Sequence, residues 1–493
     1  MIKGKMTHSD KKISAQILQR EYACCDDFVL RPIWPGHKSF GSMSVCWLDG
    51  VVSAIAVAED VLRPLTEAER LGDIRSIPEC MDWLMHGGVY ASVAKERREL
   101  ADVLGDLNQG FCAVVFDSAA AAITFEVRST ATRAITEPTV EKTVKGSKDS
   151  FVETVRVNTS LVRRKLRTPG LKCEMLTVGK RSSTPVALMY LDGIIDPALP
   201  QEMKRRLNAL DIDGLISAGN LEQYIVDHPR SPFPQLLHTE RPDKFAEELL
   251  QGRVGIIADG LPLGFLAPAA LARFLRVSDD RAQHYLVTSV LTLLRWFSLV
   301  LTILLPAAFV AVAMYHQEML PFKLMTSMID AKQQVPFSVA IEVLAMLLAF
   351  ELLQEAGLRL PTPIGDTVSI IGALIVGQSA VEARVVSPVA VIVVATAGIC
   401  GFTQPSRDMG AALRLVRFFM VLMAIFLGMY GLMLGLALFV WHLCTLESFG
   451  ISYTAPMSEG GFLATLYAFI QAPLWRDKYR PAALRPQDRR NQK

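Results

Sequence analysis

The chain has 493 residues, a formal net charge of +2, 51% hydrophobic residues and a mean hydropathy of +0.30. The length exceeds one ordinary domain. The near-neutral charge implies neither a nucleic-acid binder nor a binder of acidic substrates, and no RRM, zinc-finger or helix-turn-helix signature occurs. Apolar residues are unevenly spread: 1–283 is mixed and charge-rich, whereas 296–446 is dominated by Leu, Ile, Val, Ala, Phe, Met and Gly. A soluble part followed by membrane helices is the reading.

The N-terminus, MIKGKMTHSDKKISAQIL, has basic residues but no long apolar h-region, so no secretory signal is expected. The soluble half is therefore expected in the cytoplasm. Arg273, Arg276, Arg281 and Arg295 agree, lying where positive-inside counting weighs most. None of the 8 cysteines forms a C-x-x-C pair, and several lie in apolar runs, which fits a reducing compartment. The adjacent Cys24 and Cys25 are the one unusual pair. No metal and no cofactor is expected.

An internal repeat runs through 20–270. MSVCWLDGVV (43–52) matches VALMYLDGII (186–195), and LNQGFCAVVFDSAAAAI (107–123) matches LLQGRVGIIADGLPLGF (249–265). Each Asp-Gly or Asp-Ser step ends an apolar strand and supplies a chain-reversing turn. GRVGIIADGLPLGFL is predicted to be a hairpin. Helical patterns, as in MDWLMHGGVYASVAKERRELADVL and PALPQEMKRRLNAL, lie between the strands. The predicted fold class is an α+β soluble domain of two tandem similar α/β subdomains, followed by an all-α polytopic membrane bundle. The segments are an N-terminal extension (1–39), a first subdomain (40–130), a connecting basic helical segment (131–184), a second subdomain (185–283), a transmembrane domain (284–446) and a cytoplasmic tail (447–493), whose last part, PLWRDKYRPAALRPQDRRNQK (473–493), is read as disordered.

The connector predicts a helix over 153–167 carrying Arg163, Arg164, Lys165 and Arg167. These cations are either a solvated helix C-terminus or a contact for anionic lipid or another subunit. No P-loop, Gly-x-Ser-x-Gly elbow or His-Glu-x-x-His occurs, and the lone His238 reads as structural, so no catalytic residue is expected.

The first span is predicted at 296–315, kinked at Pro306. Residues 337–353 are apolar but carry Glu342 and Glu351, with Glu355 placed to pair with Arg359; carboxylates at membrane depth face protein, water or headgroups. A helix over 366–383 has one small face (Ser369, Gly372, Val376, Ser379, Ala383). Another face, Thr367, Ile371, Leu374, Gln378 and Glu382, has polar ends and an apolar middle. A ring of such helices would give a pore with a hydrophobic constriction and an acidic mouth; otherwise Ile371 and Leu374 face lipid. Residues 385–402 form another span. The run 417–444 is too long for one upright helix and must tilt, kink near Gly428, Gly431 and Gly435, or fold as a hairpin. With both ends inside, four or six spans fit, and the Arg-bearing 404–417 loop favours six.

The stretches DDFVLRPI (26–33), EPTVEKTVKGSKDSFVETVRVNTSLVRRKL (137–166), LTVGKR (176–181), SPFPQLLHTERPDKFAEELLQGRVGIIADGLP (231–262), HQEMLP (316–321), ELLQEAGLRLPTPIGDTVSIIGALIVGQSAVEA (351–383) and SFGISYTAP (448–456) resemble the A subunits of bacterial spore germinant receptors, the GerA family. IWPGHKSFG and Asp149-Ser150-Phe151 depart from that pattern. The resemblance implies a multi-pass protein of the spore inner membrane, working with a transporter-like B subunit and a lipoprotein C subunit. It also implies assembly into a homo-oligomer, a pentamer in expectation, that passes or gates monovalent cations. A non-conducting scaffold coupling the B subunit to a separate channel is the alternative. A secondary transporter ranks lower for want of an inverted repeat, and an enzyme ranks last.

Overall fold

The computed structural model describes residues 12–33, 43–67, 74, 76–128, 138, 141, 145–333, 335–359, 377–458 and 461–492. It divides into two compact units. One comprises Met1–Val226, Leu236–Pro268 and Asp477–Lys493; the other comprises Asp227–Gln235 and Ala269–Arg476.

The first unit holds two five-stranded antiparallel sheets. The strands are β1 (Phe28–Ile33), β2 (Met43–Leu48), β3 (Ala94–Arg97), β4 (Phe111–Phe116), β5 (Ala121–Glu126), β6 (Leu171–Val178), β7 (Thr184–Leu191), β8 (Leu237–Thr239), β9 (Val254–Ala258) and β10 (Gly264–Ala267). Their orders are β1-β2-β4-β5-β3 and β6-β7-β9-β10-β8, the same topology twice. A helix precedes each edge strand: α1 (Ala15–Glu21) before β1 and α3 (Val155–Lys165) before β6. Another precedes each central strand: α2 (Leu100–Leu107) before β4 and α5 (Pro242–Leu250) before β9; α4 (Ala198–Asn208) lies between β7 and β8. The tandem duplication read from the sequence is the observed architecture, and β9–β10 is the expected hairpin, with Gly264 opposite Ile257. Two strands lie outside the expected subdomain limits. β1 comes from the segment read as an extension, and β6 from the connector.

In the first sheet, alternate residues feed opposite faces, as the period of a strand requires. Val45, Cys112, Val114, Ile123 and Phe125 build one core; Cys46, Leu48, Ala113, Val115 and Ala122 build the other with α1 and α2. In the second sheet Phe245 of α5 is fully buried against Phe151, ring centroids 5.6 Å apart. Gly255 and Gly264 make room for it: a Cβ on Gly264 would lie 2.6 Å from the Phe245 ring.

The turn aspartates do more than reverse the chain. Asp117, after β4, accepts the Ala15 N–H at 2.6 Å, and Asp259, after β9, accepts the Val155 N–H at 2.8 Å. Each repeat thus uses its hairpin turn to cap the first turn of its own leading helix, where backbone N–H groups lack intrahelical partners.

The second unit is helical: α6 (Tyr285–Tyr315), α7 (Phe322–Gln333), α8 (Val339–Arg359), α9 (Pro388–Phe402) and α10 (Arg407–Thr445). α6 runs through Pro306 as one helix. α9 lies against it with small residues at the contact: Ala390, Val394 and Ala397 are buried, and Thr302 Oγ1 donates to the Ala397 carbonyl at 3.4 Å. α10 breaks at Gly428, φ 59° and ψ −136°. A Cβ on Gly431 would strike the Met423 carbonyl, and one on Gly435 would lie 2.9 Å from Met420 Sδ. Fifteen residues of continuous helix would separate positions 420 and 435 by about 22 Å. The two arms therefore fold back side by side, the hairpin among the three arrangements the sequence allowed.

Candidate functional site

The helical unit contains carboxylates inside apolar helices, and their partners define its chemistry. Glu342, on the first turn of α8, is 1% exposed. It pairs with Lys332 of α7 and accepts the Ser387 N–H at 2.9 Å, which ties α7, α8 and the start of α9 together. Glu351, further along α8, pairs with Arg414 at 3.2 Å and with Arg417, both on the first arm of α10. A buried charge is tolerated when paired and hydrogen-bonded. These contacts are therefore the condition for placing acids in α8 at all. Glu342 is thus buried against a lysine, and Glu351 is partly buried between two arginines. Glu355 is exposed, and the Arg359 side chain lies outside the described residues.

Of the proposed pore face, Thr367, Ile371 and Leu374 lie outside the described residues. Gln378 and Glu382 sit one helical turn apart at exposed positions, and Gln378 Nε2 donates to Glu382 Oε1 at 2.9 Å. Glu382 thus has a neutral partner, unlike Glu342 and Glu351.

The basic run of α3 is largely used by the fold. Arg163 is 2% exposed and forms a paired contact with Asp27 at the start of β1, its Nη2 donating to Oδ1 at 2.6 Å. Burial works to lower its pKa, but the Asp27 carboxylate outweighs this and holds it above the ordinary arginine value. Lys165 pairs with Asp149 at 2.9 Å, and Arg167 Nε donates to the Arg164 carbonyl at 3.2 Å. Arg163 is therefore corrected from a lipid or subunit contact to an interior tie between the two repeats. Next to it, Cys25 is buried and its thiol pKa is raised by burial, whereas Cys24 is exposed with φ 62°. Among the described residues no group of three His, Cys, Asp or Glu is placed to hold a metal.

The sequence reading missed a collar in the helical unit. Residues 227–235, from the middle of the second repeat's sequence, pack with 446–456. Ser231 Oγ lies 3.0 Å from His442 Nε2, Ser448 Oγ donates to the Gln235 carbonyl at 2.8 Å, and Phe233 packs on Phe439 and Tyr453. SPFPQ and SFGISYTAP, both quoted above for the resemblance, are thus one structural element. Lys332, Arg414 and Arg417 were also missed as partners; the available signal was a cation inside or beside an apolar run that holds acids.

A duplicated antiparallel α/β unit joined to a helical unit, with two described helices long and apolar enough to cross a membrane (Tyr285–Tyr315, mean hydropathy 2.4; Arg407–Thr445, 2.3), defines the class of protein. Residues 16–483 match the family described as Bacillus/Clostridium GerA spore germination protein, and the chain belongs to that family. It is 33% identical over 472 residues to spore germination protein KA of Bacillus subtilis, covering 96% of this chain and 86% of that protein. It is 36% identical over 457 residues to a Bacillus subtilis protein named uncharacterized membrane protein YfkQ, covering 93% and 88%. Spore germination protein GerLA of Bacillus cereus is 34% identical over 450 residues, covering 91% of each. Among solved structures, the N-terminal domain of the A subunit of the Bacillus megaterium spore germinant receptor GerK3 aligns at a TM-score of 0.40 and 26% identity, over 52% of this chain and 93% of that one.

Proposed function

We propose that this chain is the membrane-embedded A subunit of a nutrient germinant receptor, and that its copies assemble, as a pentamer, around a path for monovalent cations. The helical unit crosses the spore inner membrane six times, with both ends on the cytoplasmic side. The reversal at Gly428 supports that count, because it makes two antiparallel arms of one 39-residue helix. A transporter-like B subunit binds the nutrient and a lipoprotein C subunit completes the complex.

The observation that carries the pore reading is the contrast among acids. Glu342 and Glu351 are neutralised by Lys332, Arg414 and Arg417, while Glu382 is exposed and, among the described residues, is bonded to the neutral amide of Gln378 and to no cation. An exposed carboxylate at the end of an apolar helix is the group a cation pathway uses at its mouth. In the helix that the sequence predicts over 366–383, Thr367, Ile371 and Leu374 share that face, with Ile371 and Leu374 as the constriction.

Spores carrying Leu374→Ala or Ile371→Ala test this. A widened constriction gives leak or spontaneous germination without nutrient. Normal dormancy and nutrient response in both variants contradict the pore face and favour a scaffold that couples the B subunit to a separate channel.

A further inference from the structure

The helix α7 is spaced like a core-facing helix but is not packed like one. Met325, Met328, Ile329 and Lys332 recur three and four residues apart and share one face. Yet no residue of α7 is buried. The reason lies beneath that face. A cavity of about 190 Å³ lies between it and α6, the start of α8 and the start of α9. Phe309, Val339 and Val389 form the opposite wall. Folded interiors hold few voids larger than a water molecule, so a cavity of this size is exceptional.

The lining sets what the cavity can take. Its wall is almost wholly apolar, and a cavity of that kind stays dry and takes apolar molecules. The polar groups at its edge are satisfied within the chain. Lys332 pairs with Glu342 and also donates to the Phe337 carbonyl. Gln317 Nε2 donates to the Ala313 carbonyl at 2.8 Å, and Ser387 Oγ accepts the Ala390 N–H at 3.3 Å. The cation of the lining is thus neutralised, and the site favours a neutral ligand. An apolar cavity of about 150 Å³ takes benzene, so about 190 Å³ suits one ring with a short substituent. Met325 and Met328 present thioethers and Phe309 a ring, and both kinds of group make favourable contacts with an aromatic ring.

We propose that the cavity beneath α7 is a binding site for a small neutral aromatic molecule, and that occupancy fastens α7 to the helices below it. At its C-terminal end α7 is held by the Lys332–Glu342 pair. A ring in the cavity gives Met325 and Met328 the packing their face otherwise lacks. The site belongs to the helical unit alone and depends on neither the span count nor the pore face.

The test uses the full chain in detergent with a trifluoromethyl phenyl diazirine, a one-ring photoreactive probe, and maps the adducts by mass spectrometry. Adducts are expected on Phe309, Met325 and Met328. Excess toluene is expected to suppress them, while adducts at Ile392, 65% exposed on α9, persist. Ala313→Phe places a ring in the cavity and is expected to abolish the α7 adducts; Met328→Trp does so from the α7 side, where no buried residue is disturbed. Hydrogen exchange across α7 is expected to slow with toluene in the wild type and in neither variant. Adducts spread evenly over α7 and Ile392 and untouched by toluene mean an adventitious additive only and overturn the proposal. Undiminished α7 adducts in both variants overturn it too, as does wild-type exchange that toluene leaves unchanged. So do α7 adducts from a phosphatidylcholine with the diazirine on its acyl chain that toluene does not displace, which would make a lipid tail the occupant.

Discussion

Asp27 and Arg163 form a buried ion pair between the two repeats, with Arg163 2% and Asp27 10% exposed at the side chain. The carboxylate comes from the start of the first sheet and the guanidinium from the helix that opens the second repeat. Removing one partner strands the other charge in the interior. Arg163→Ala or Asp27→Ala is expected to cost about 3–5 kcal/mol. The double replacement Asp27→Leu with Arg163→Met is expected to cost less than either single change. Thermal unfolding of the detergent-solubilised chain measures this; additive losses in the double variant contradict it.

The hairpin aspartates give a second expectation. Asp117→Ala and Asp259→Ala each remove a cap and are expected to cost about 1 kcal/mol. The loss is local, so hydrogen exchange rises in the first turn of α1 for Asp117→Ala and of α3 for Asp259→Ala. Uniform exchange across both helices in either variant contradicts the assignment.

The reversal in α10 is open to cross-linking. Cysteines introduced as Met420→Cys and Gly435→Cys are expected to oxidise to a disulfide within one chain, because the two positions are neighbours across the turn. A continuous helix holds them about 22 Å apart, far beyond disulfide reach. Gly428→Ala places a Cβ 3.0 Å from the Tyr315 ring at a backbone conformation that L side chains rarely adopt; a strain of about 1–3 kcal/mol is expected to lower the cross-linking yield.

Thiol reactivity separates the adjacent cysteines. Cys24 is exposed, while Cys25, Cys46, Cys112 and Cys173 are buried. Burial raises the Cys25 thiol and pushes Cys46 up to about 12, so neither supplies thiolate at neutral pH. Maleimide labelling at pH 7 is expected to modify Cys24 in the native chain and those four only after denaturation. Rapid native labelling of Cys25 contradicts the packing.

The duplication was legible because Leu-Asp-Gly and the Gln-Gly…Asp stretches recur in order, and the buried strands β4 and β9 are continuous apolar runs. The edge strands were not. β1 contains Pro32 and β6 alternates with Lys172 and Glu174, so both look like connectors; an edge strand tolerates such residues because one side has no ladder to complete. The aspartate turns were legible as turns but not as caps, since their partners lie 102 and 104 residues away. The acids of α8 were legible as costly, but Arg414 and Arg417 are 63 and 66 residues from Glu351, and no local pattern links them. The tail's charge was legible, but residues 477–492, read as disordered, are folded within the first unit, where Arg480 Nε donates to the Leu250 carbonyl at 2.7 Å.

The most direct test of the central claim is rubidium flux through liposomes containing the purified chain. Conduction through the proposed path predicts a flux that rises with Leu374→Ala and falls with Glu382→Gln at equal protein incorporation. No flux from the wild type or from Leu374→Ala, with the oligomer intact, would contradict it and leave the chain as a scaffold.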